Sequence, residues 1–161
     1  MTGNEEQIFG PVLALDVGGK RIGAAVSDPT LVAIERLAPL RRTNWKRLLE
    51  EVSQLIRGFD AQALVIGLPL CLDGSEGSAA QETQNIALKF ALSLDRPVFL
   101  QDERLTSVEA KEKLREQGYG SEEIAERIDS EAAAIILRDF LYGGQQRRRV
   151  SRPLDQNQGI R

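Results

Sequence analysis

The order in which strand-like and helix-like apolar patterns follow one another constrains the fold of this chain more than any other feature. Three short strand-like runs come first, two helix–strand units follow, and two helices come last. The predicted strands lie at 11–17, 21–27, 34–40, 61–67 and 97–100, and the predicted helices at 45–57, 79–94, 106–118 and 121–142. Because short turns join antiparallel strands and helical crossovers join parallel ones, this order predicts an α/β fold. We expect a mixed five-stranded sheet, with strand 2 antiparallel and helices on both faces.

The 161 residues are enough for one domain of ordinary size. Residues 1–9 are mostly polar, which favours a flexible N-terminus over a signal peptide, and residues 10–142 hold every predicted helix and strand. Residues 143–161 carry five arginines against one aspartate, which predicts a disordered basic tail. Such a tail either contacts nucleic-acid phosphates or simply aids solubility. Since no apolar run reaches the roughly 18 residues of a membrane-spanning helix, we expect a cytoplasmic protein.

The chain contains no histidine and a single cysteine, Cys71. These counts exclude a Ser-His-Asp triad, a Cys-His pair, an imidazole general base, an intrachain disulfide and a thiolate zinc cluster. Any metal site must therefore be built from oxygen ligands, which suits Mg²⁺ or Mn²⁺.

Three carboxylates occupy positions where the surrounding pattern is apolar or where sheets of this type place their sites. Asp16 lies inside the apolar run of the first strand, although burying an unpaired carboxylate costs several kcal/mol. Glu103 follows the fifth strand, at the edge where open α/β sheets bind ligands. Asp129 lies on the apolar face of the last helix, and helix propensity gives no reason for an aspartate there.

Each acid also has an ordinary structural interpretation, in which it forms local contacts: Asp16 with Lys20, Arg21 or the following turn, Glu103 in a solvated turn, and Asp129 with Arg127 or Arg104. If the acids instead converge at one sheet edge, their repulsion calls for cations between them. Two ions about 3.5–4 Å apart would activate the attacking water and stabilise the leaving oxygen of a phosphodiester. We therefore assign Asp16, Glu103 and Asp129 as catalytic residues and metal ligands.

Basic residues beside the three acids are candidates for binding substrate phosphate, namely Lys20, Arg21 and Arg104. A second basic cluster is either a solvated face or part of the binding surface, and consists of Arg41, Arg42, Lys46 and Arg47. Aromatic residues make up only 5% of the chain, which argues against a base-stacking platform. We expect recognition of the backbone and shape of a nucleic acid.

Four segments resemble, in the same order, the motifs of the YqgF or RuvX family of RNase H-like nucleases. They are LALDVGGKRIGAAVSD (13–28), VIGLPLCLDGSEG (65–77), LQDERLTSVEA (100–110) and IDSEAAAIIL (128–137). The resemblance implies an RNase H-like sheet with strand order 3-2-1-4-5. It also implies that Asp16, Glu103 and Asp129 occupy the positions of the family's acidic triad.

The resemblance further implies a role in maturing the 5′ end of pre-16S ribosomal RNA, with resolution of Holliday junctions as an alternative. The sequence thus predicts a metal-dependent endo- or exonuclease, monomeric or weakly dimeric, whose partners are pre-rRNA, the ribosome or branched DNA. A catalytically silent RNA- or ribosome-binding protein remains a further alternative. An ATP-binding module of the actin and sugar-kinase type is disfavoured, because it requires two such domains.

Two positions depart from the usual family pattern. Gly19 stands where the family has threonine, which makes the hairpin more flexible and removes a hydroxyl group. Cys71 stands where the family has asparagine, which removes an amide that could contact substrate. Neither change affects the three acids.

Overall fold

A mixed sheet forms the centre of the molecule. The computed structural model describes residues 7–18, 20–103, 106–143 and 147–150. Within them the strands are β1 (Val12–Asp16), β2 (Arg21–Ser27), β3 (Ile34–Arg41), β4 (Ala63–Leu68), β5 (Val98–Asp102) and β6 (Arg147–Arg149). Their order across the sheet is β3-β2-β1-β4-β5-β6. Strand β2 is antiparallel to β1 and β3, whereas β4 is parallel to both β1 and β5. The predicted strand order and the antiparallel strand 2 are confirmed.

The sixth strand corrects the predicted count of five, and it lies within the predicted disordered tail. Strand β6 pairs antiparallel with β5, and the Val150 N–H donates to the Val98 carbonyl at 2.8 Å. The Arg147 guanidinium lies 4.5 Å from the centre of the Phe140 ring. An edge strand needs only backbone partners, so three consecutive arginines can form one without any apolar alternation. The remaining parts of the predicted flexible ends, residues 1–6, 144–146 and 151–161, lie outside the described residues.

The helices cover both faces of the sheet, as predicted. They are α1 (Trp45–Phe59), α2 (Ser78–Ser93), α3 (Thr106–Glu116) and α4 (Ser121–Tyr142). Helices α1 and α2 pack on one face, while α4 packs on the other and carries α3 on its outer side. In the part of the chain that the structure describes, none of these helices has the length and hydropathy needed to cross a bilayer.

The caps of α1 show how local sequence signals set helix boundaries. The Asn44 side chain accepts a hydrogen bond from the Arg47 N–H at 2.9 Å, as expected of an N-cap. At the other end the helix continues beyond its predicted last residue, Arg57, to Phe59. Asp60 ends it instead, because this residue adopts the left-handed conformation (φ 53°) and its N–H donates back to the Arg57 carbonyl.

Alternation along β1 assigns its side chains to the two apolar cores. Leu13 and Leu15 belong to the core beneath α1 and α2, whereas Val12 and Ala14 belong to the core beneath α4. The next position in the second series is Asp16, the last residue of the strand. The fold therefore places the Asp16 carboxylate on the α4 side of the sheet, at its carboxyl edge.

Candidate active site

The carboxyl ends of three parallel strands bring Asp16 and Glu103 to the same edge of the sheet. Strand β1 ends at Asp16, β4 ends at Leu68, and β5 ends one residue before Glu103. The Glu103 N–H donates to the Leu68 carbonyl at 3.1 Å, which holds Glu103 beside the end of β4. Because β4 lies between β1 and β5, this contact directs Glu103 towards the strand that carries Asp16.

Gly67 provides the space that the Glu103 side chain occupies. A methyl group placed on Gly67 would lie 2.8 Å from Glu103 Cδ and 2.4 Å from Ile136 Cδ1, both far inside normal contact distance. A larger residue would therefore displace Glu103 or Ile136. The glycine allows the carboxylate of Glu103 to lie over β4, close to α4.

A second close approach positions Asp129. Gly23 on β2 is paired in register with Asp16 on β1. A Cβ atom on Gly23 would lie 1.9 Å from the Asp129 carbonyl oxygen, so the backbone of α4 rests directly against β2 at this point. Asp129 is thereby held one strand away from Asp16.

Asp16 interacts electrostatically with both of the other acids. Burial is the main cause that raises the pKa of Asp16 to about 6; the negative charge of Asp129 adds to the rise, and a hydrogen bond from the Gly18 N–H opposes it. Burial likewise raises the pKa of Glu103 to about 8, with further contributions from the charges of Asp16 and Asp102. The fold thus disfavours the charged forms of Asp16 and Glu103, mainly through burial and further through neighbouring negative charge.

Asp129 differs because a cation faces it. Burial raises the pKa of Asp129, and the positive charge of Arg21 opposes the rise. The Arg21 Nε atom lies 3.8 Å from Asp129 Oδ2. Arg127, a predicted alternative partner, instead places its guanidinium 4.5 Å from the centre of the Tyr119 ring. Among the residues that the structure describes, no ion pair joins Asp16 to Lys20 or Arg21, and Arg21 instead faces Asp129.

Two of the three predicted phosphate-binding residues lie beside the acidic site, and the third is outside the described residues. Lys20 and Arg21 line a groove that also contains Asp129, so the structure brings both to the acidic site. Arg104 and Gly19 lie outside the described residues. Cys71 is exposed in the loop after β4.

The second basic cluster is partly neutralised by pairs within the chain. Arg42 pairs with Glu82, and Arg47 Nε lies 3.6 Å from Glu51 Oε1. These pairs reduce the charge that this surface can offer to phosphates.

The donor set at the sheet edge suits a hard divalent cation. Its candidate ligands are carboxylates, and a cation would offset the charge that raises the pKa values of Asp16 and Glu103. As the side chains stand within the described residues, no group of three or more Asp, Glu, His or Cys side chains is arranged to hold a metal ion. The carboxylates therefore fit a divalent cation in their ligand chemistry and their charge.

Two basic residues of the same groove are missing from the sequence predictions. Lys111 and Arg115, on α3, line the groove together with Asp129. Their spacing of four residues places them on one helix face, which is the signal that could have found them. This spacing does not distinguish a binding site from an ordinary solvated helix, because charged residues four positions apart are common on both.

Comparison with solved structures defines the class of fold. The structure of T. thermophilus RuvC in complex with a Holliday junction substrate superposes with a TM-score of 0.54 at 15% identity, covering 88% of this chain and 99% of that one. A second Thermus thermophilus RuvC structure gives a TM-score of 0.50 at 15% identity, covering 87% of this chain and 99% of that one. The chain therefore has the RNase H-like fold of RuvC, with an acidic cluster at the carboxyl edge of its sheet.

The family model described as "RuvX: Holliday junction resolvase" matches residues 10–143, and the chain belongs to the RuvX family. A relative from Anaeromyxobacter sp. (strain Fw109-5) is 40% identical over 131 residues, which are 81% of this chain and 96% of the relative. Another, from Roseiflexus sp. (strain RS-1), is 41% identical over 132 residues, 82% and 94% of the two chains. Both carry the name "Putative pre-16S rRNA nuclease". The predicted family membership is confirmed.

Proposed function

We propose that this protein is a divalent-cation-dependent nuclease that hydrolyses phosphodiester bonds in the 5′-end processing of pre-16S rRNA. The observation that carries the proposal is the gathering of Asp16, Glu103 and Asp129 at one sheet edge, where Asp16 interacts electrostatically with both other acids. The names of the curated relatives support pre-rRNA as the substrate. The protein acts in the cytoplasm, where it meets the rRNA precursor and the assembling ribosome, as a monomer or a weak dimer.

Asp16 and Glu103 form the base of the proposed cation site, and Asp129 contributes a carboxylate from α4. When bound, a pair of Mg²⁺ or Mn²⁺ ions supplies an activated water and stabilises the leaving oxygen. The three side chains hold and orient the cations. The partial burial of Asp16 and Glu103 limits their contact with bulk water, which strengthens their interaction with positive charge.

Lys20 and Arg21 bind the phosphate next to the acids, a role that the sequence also assigns to Arg104. Arg21 lies 3.8 Å from Asp129, a distance at which the pair is held only loosely. In the proposed mechanism its guanidinium transfers from the Asp129 carboxylate to a substrate phosphate. Binding of substrate thereby frees the Asp129 carboxylate to act as a ligand.

Resolution of four-way DNA junctions is the second candidate activity. The description of the matching family model favours it. The two substrates differ in symmetry, since a junction presents equivalent strands to a two-fold dimer and a 5′ leader does not.

The test offers both substrates to the purified protein with Mg²⁺ or Mn²⁺: a 5′-extended pre-16S leader RNA and a four-way DNA junction. We expect cleavage of the RNA, and loss of cleavage in Asp16→Asn, which removes a charge with little change of shape. The matched control is Asp95→Asn, because Asp95 is highly exposed and precedes β5, at the opposite edge of the sheet from the acids.

Symmetric nicking of the junction with intact RNA would replace the proposed substrate by branched DNA. Absence of cleavage of both substrates, together with tight RNA binding, would contradict the catalytic proposal. That result would favour the alternative of a catalytically silent RNA- or ribosome-binding protein.

A further inference from the structure

A groove with a volume of about 560 Å³ opens beside Asp129, lined by residues of the β1–β2 turn, α3 and α4. Four cationic side chains line it: Lys20, Arg21, Lys111 and Arg115. All four are exposed. The groove is thus a concentration of positive charge on a chain whose net charge is −3.

Two cations of α3, Lys111 and Arg115, are available to a ligand. Within the described parts of the chain, neither Lys111 nor Arg115 forms an ion pair. Neighbouring cations are used internally, since Lys113 Nζ lies 3.0 Å from Glu131 Oε1, and Arg138 Nη1 lies 3.0 Å from Glu109 Oε1. Lys111 and Arg115 therefore have no described structural role that would account for their charge.

The groove also has an apolar lining. It comes from one side of the first half of α4, where Ile124 is buried, Ile128 is half-buried and Ala125 is exposed. The polyanionic outside of a nucleic-acid duplex has little to gain from such a surface. An unpaired nucleotide, in contrast, presents both phosphates for the cations and an apolar base face for α4.

We propose that this groove binds an unpaired nucleotide of the substrate strand adjacent to the phosphate that is cleaved. Lys111 and Arg115 bind its flanking phosphates, and its base lies against Ile124, Ala125 and Ile128. The volume of the groove is in the range of sites that bind small organic ligands, which suits a single nucleotide. This assignment rests on the proposed function, because it places the cleaved strand across Asp129 and specifies a single-stranded cleavage region.

Charge complementarity explains why such a site is needed. The acids at the sheet edge repel phosphates, so a polyanionic strand must be held by positive charge close to them. The groove begins at Asp129, where Arg21 already faces the acid, and the α3 cations extend the positive surface away from it. A strand bound there keeps its phosphates on cations up to the cleavage site.

The test compares wild-type protein with the double variant Lys111→Gln/Arg115→Gln. Binding to a fluorescently labelled single-stranded RNA and to the same RNA paired with its complement is measured by anisotropy in EDTA, over a series of salt concentrations. Affinity of the variant for the single strand should fall about tenfold or more at low salt. The slope of log affinity against log salt should become shallower by about 1.4, because two phosphate contacts are lost at about 0.7 each. Affinity for the duplex should fall less.

The matched control is Arg57→Gln/Lys89→Gln, which removes the same charge from exposed positions on α1 and α2, across the sheet from the groove. It should leave the slope unchanged. A wild-type slope in the groove variant would overturn the proposal, and equal losses for single strand and duplex would overturn the assignment of an unpaired nucleotide. Because the assay measures binding without cleavage, failure of the nuclease proposal would appear separately, as an absence of cleavage by a protein that still binds RNA through the groove.

Discussion

Asp16 and Glu103 are half-buried carboxyl groups whose charged forms the fold disfavours. Burial is the main cause of both raised pKa values, and neighbouring negative charges add to it. A purely structural carboxylate is usually paired with a cation or hydrogen bond donors that lower its pKa, as Arg36 and Lys113 do for Glu131. The contrast with Glu131 supports the proposed cation site, because a bound cation would supply the positive charge that Asp16 and Glu103 lack.

The pKa values predict how the stability of the metal-free protein depends on pH. Asp16 and Glu103 have pKa values of about 6 and about 8 in the folded protein, above the values of about 4 expected when unfolded. The folded state therefore binds more protons than the unfolded state between about pH 4 and pH 8, and its free energy of unfolding falls as pH rises through that range. Glu103→Gln should raise the free energy of unfolding by about 1–3 kcal/mol at about pH 8.

Urea denaturation in EDTA across this pH range provides the measurement. The control is Glu116→Gln, at an exposed position on α3. If wild type and Glu103→Gln showed the same pH dependence, the pKa of Glu103 in the folded protein would not be raised, and this part of the site would be wrong.

For individual residues, the sequence predicts some members of the candidate site and misses others. Asp16 and Asp129 are recognisable because a charge interrupts an apolar pattern, and Glu103 because it follows a strand. Lys111 and Arg115 do not interrupt an apolar pattern, since charged residues are expected on the outer face of a helix such as α3. Only the packing of α3 beside the β1–β2 turn shows that they share a groove with Asp129.

At the scale of secondary structure, the position of α4 on β2 decides where Asp129 lies. The two elements touch at Gly23, where the absence of a side chain allows the helix backbone to approach the strand. The distance between the carboxylates of β1 and α4 is therefore set by a backbone contact, which is less adaptable than a contact between flexible side chains.

Replacing Gly23 by alanine should force α4 away from β2. We expect Gly23→Ala to lower the free energy of unfolding by about 1–3 kcal/mol, as overpacking does. It should also lower kcat/KM, because Asp129 moves away from Asp16. Thermal denaturation and cleavage assays measure the two effects.

Gly58→Ala is the matched control, since a Cβ there meets nothing within 4 Å and Gly58 lies within α1. It should stabilise the protein by about 0.5–1 kcal/mol and leave activity unchanged. A Gly23→Ala protein as stable and active as wild type would show that α4 is not held where the structure places it.

Most elements are predictable from the sequence because their apolar periodicity is strong. The strand β1 and the helix α1 show this best, with a continuous apolar run and a regular apolar face. Strand β6 is not predictable in this way, since Arg147–Arg149 contributes backbone hydrogen bonds and a cation over an aromatic ring. The end of α1 is also missed, because the helix continues past Gly58 and ends where Asp60 adopts the left-handed conformation.

At the scale of the whole molecule, one sheet is shared by two apolar cores. Strands β1, β2 and β4 contribute alternate residues to the core under α1 and α2 and to the core under α4. If the sheet separates from the helices on one face and loses its order, the apolar core on the other face is exposed as well. We therefore expect residues 10–142 to unfold in a single cooperative transition, with equal calorimetric and van't Hoff enthalpies. Two separated transitions would indicate that the two faces are independent.

The metal-dependent nuclease proposal is tested most directly by the rate of single-turnover cleavage of the leader RNA, measured against Mg²⁺ concentration for wild type and Asp16→Asn. We expect wild-type cleavage to depend on Mg²⁺, and Asp16→Asn to lose about a hundredfold or more of the rate. We also expect the variant to bind the RNA in EDTA about as well as wild type does. A variant that cleaves at the wild-type rate, or wild-type cleavage that persists undiminished in EDTA, would contradict the assignment of this acidic cluster as the catalytic centre.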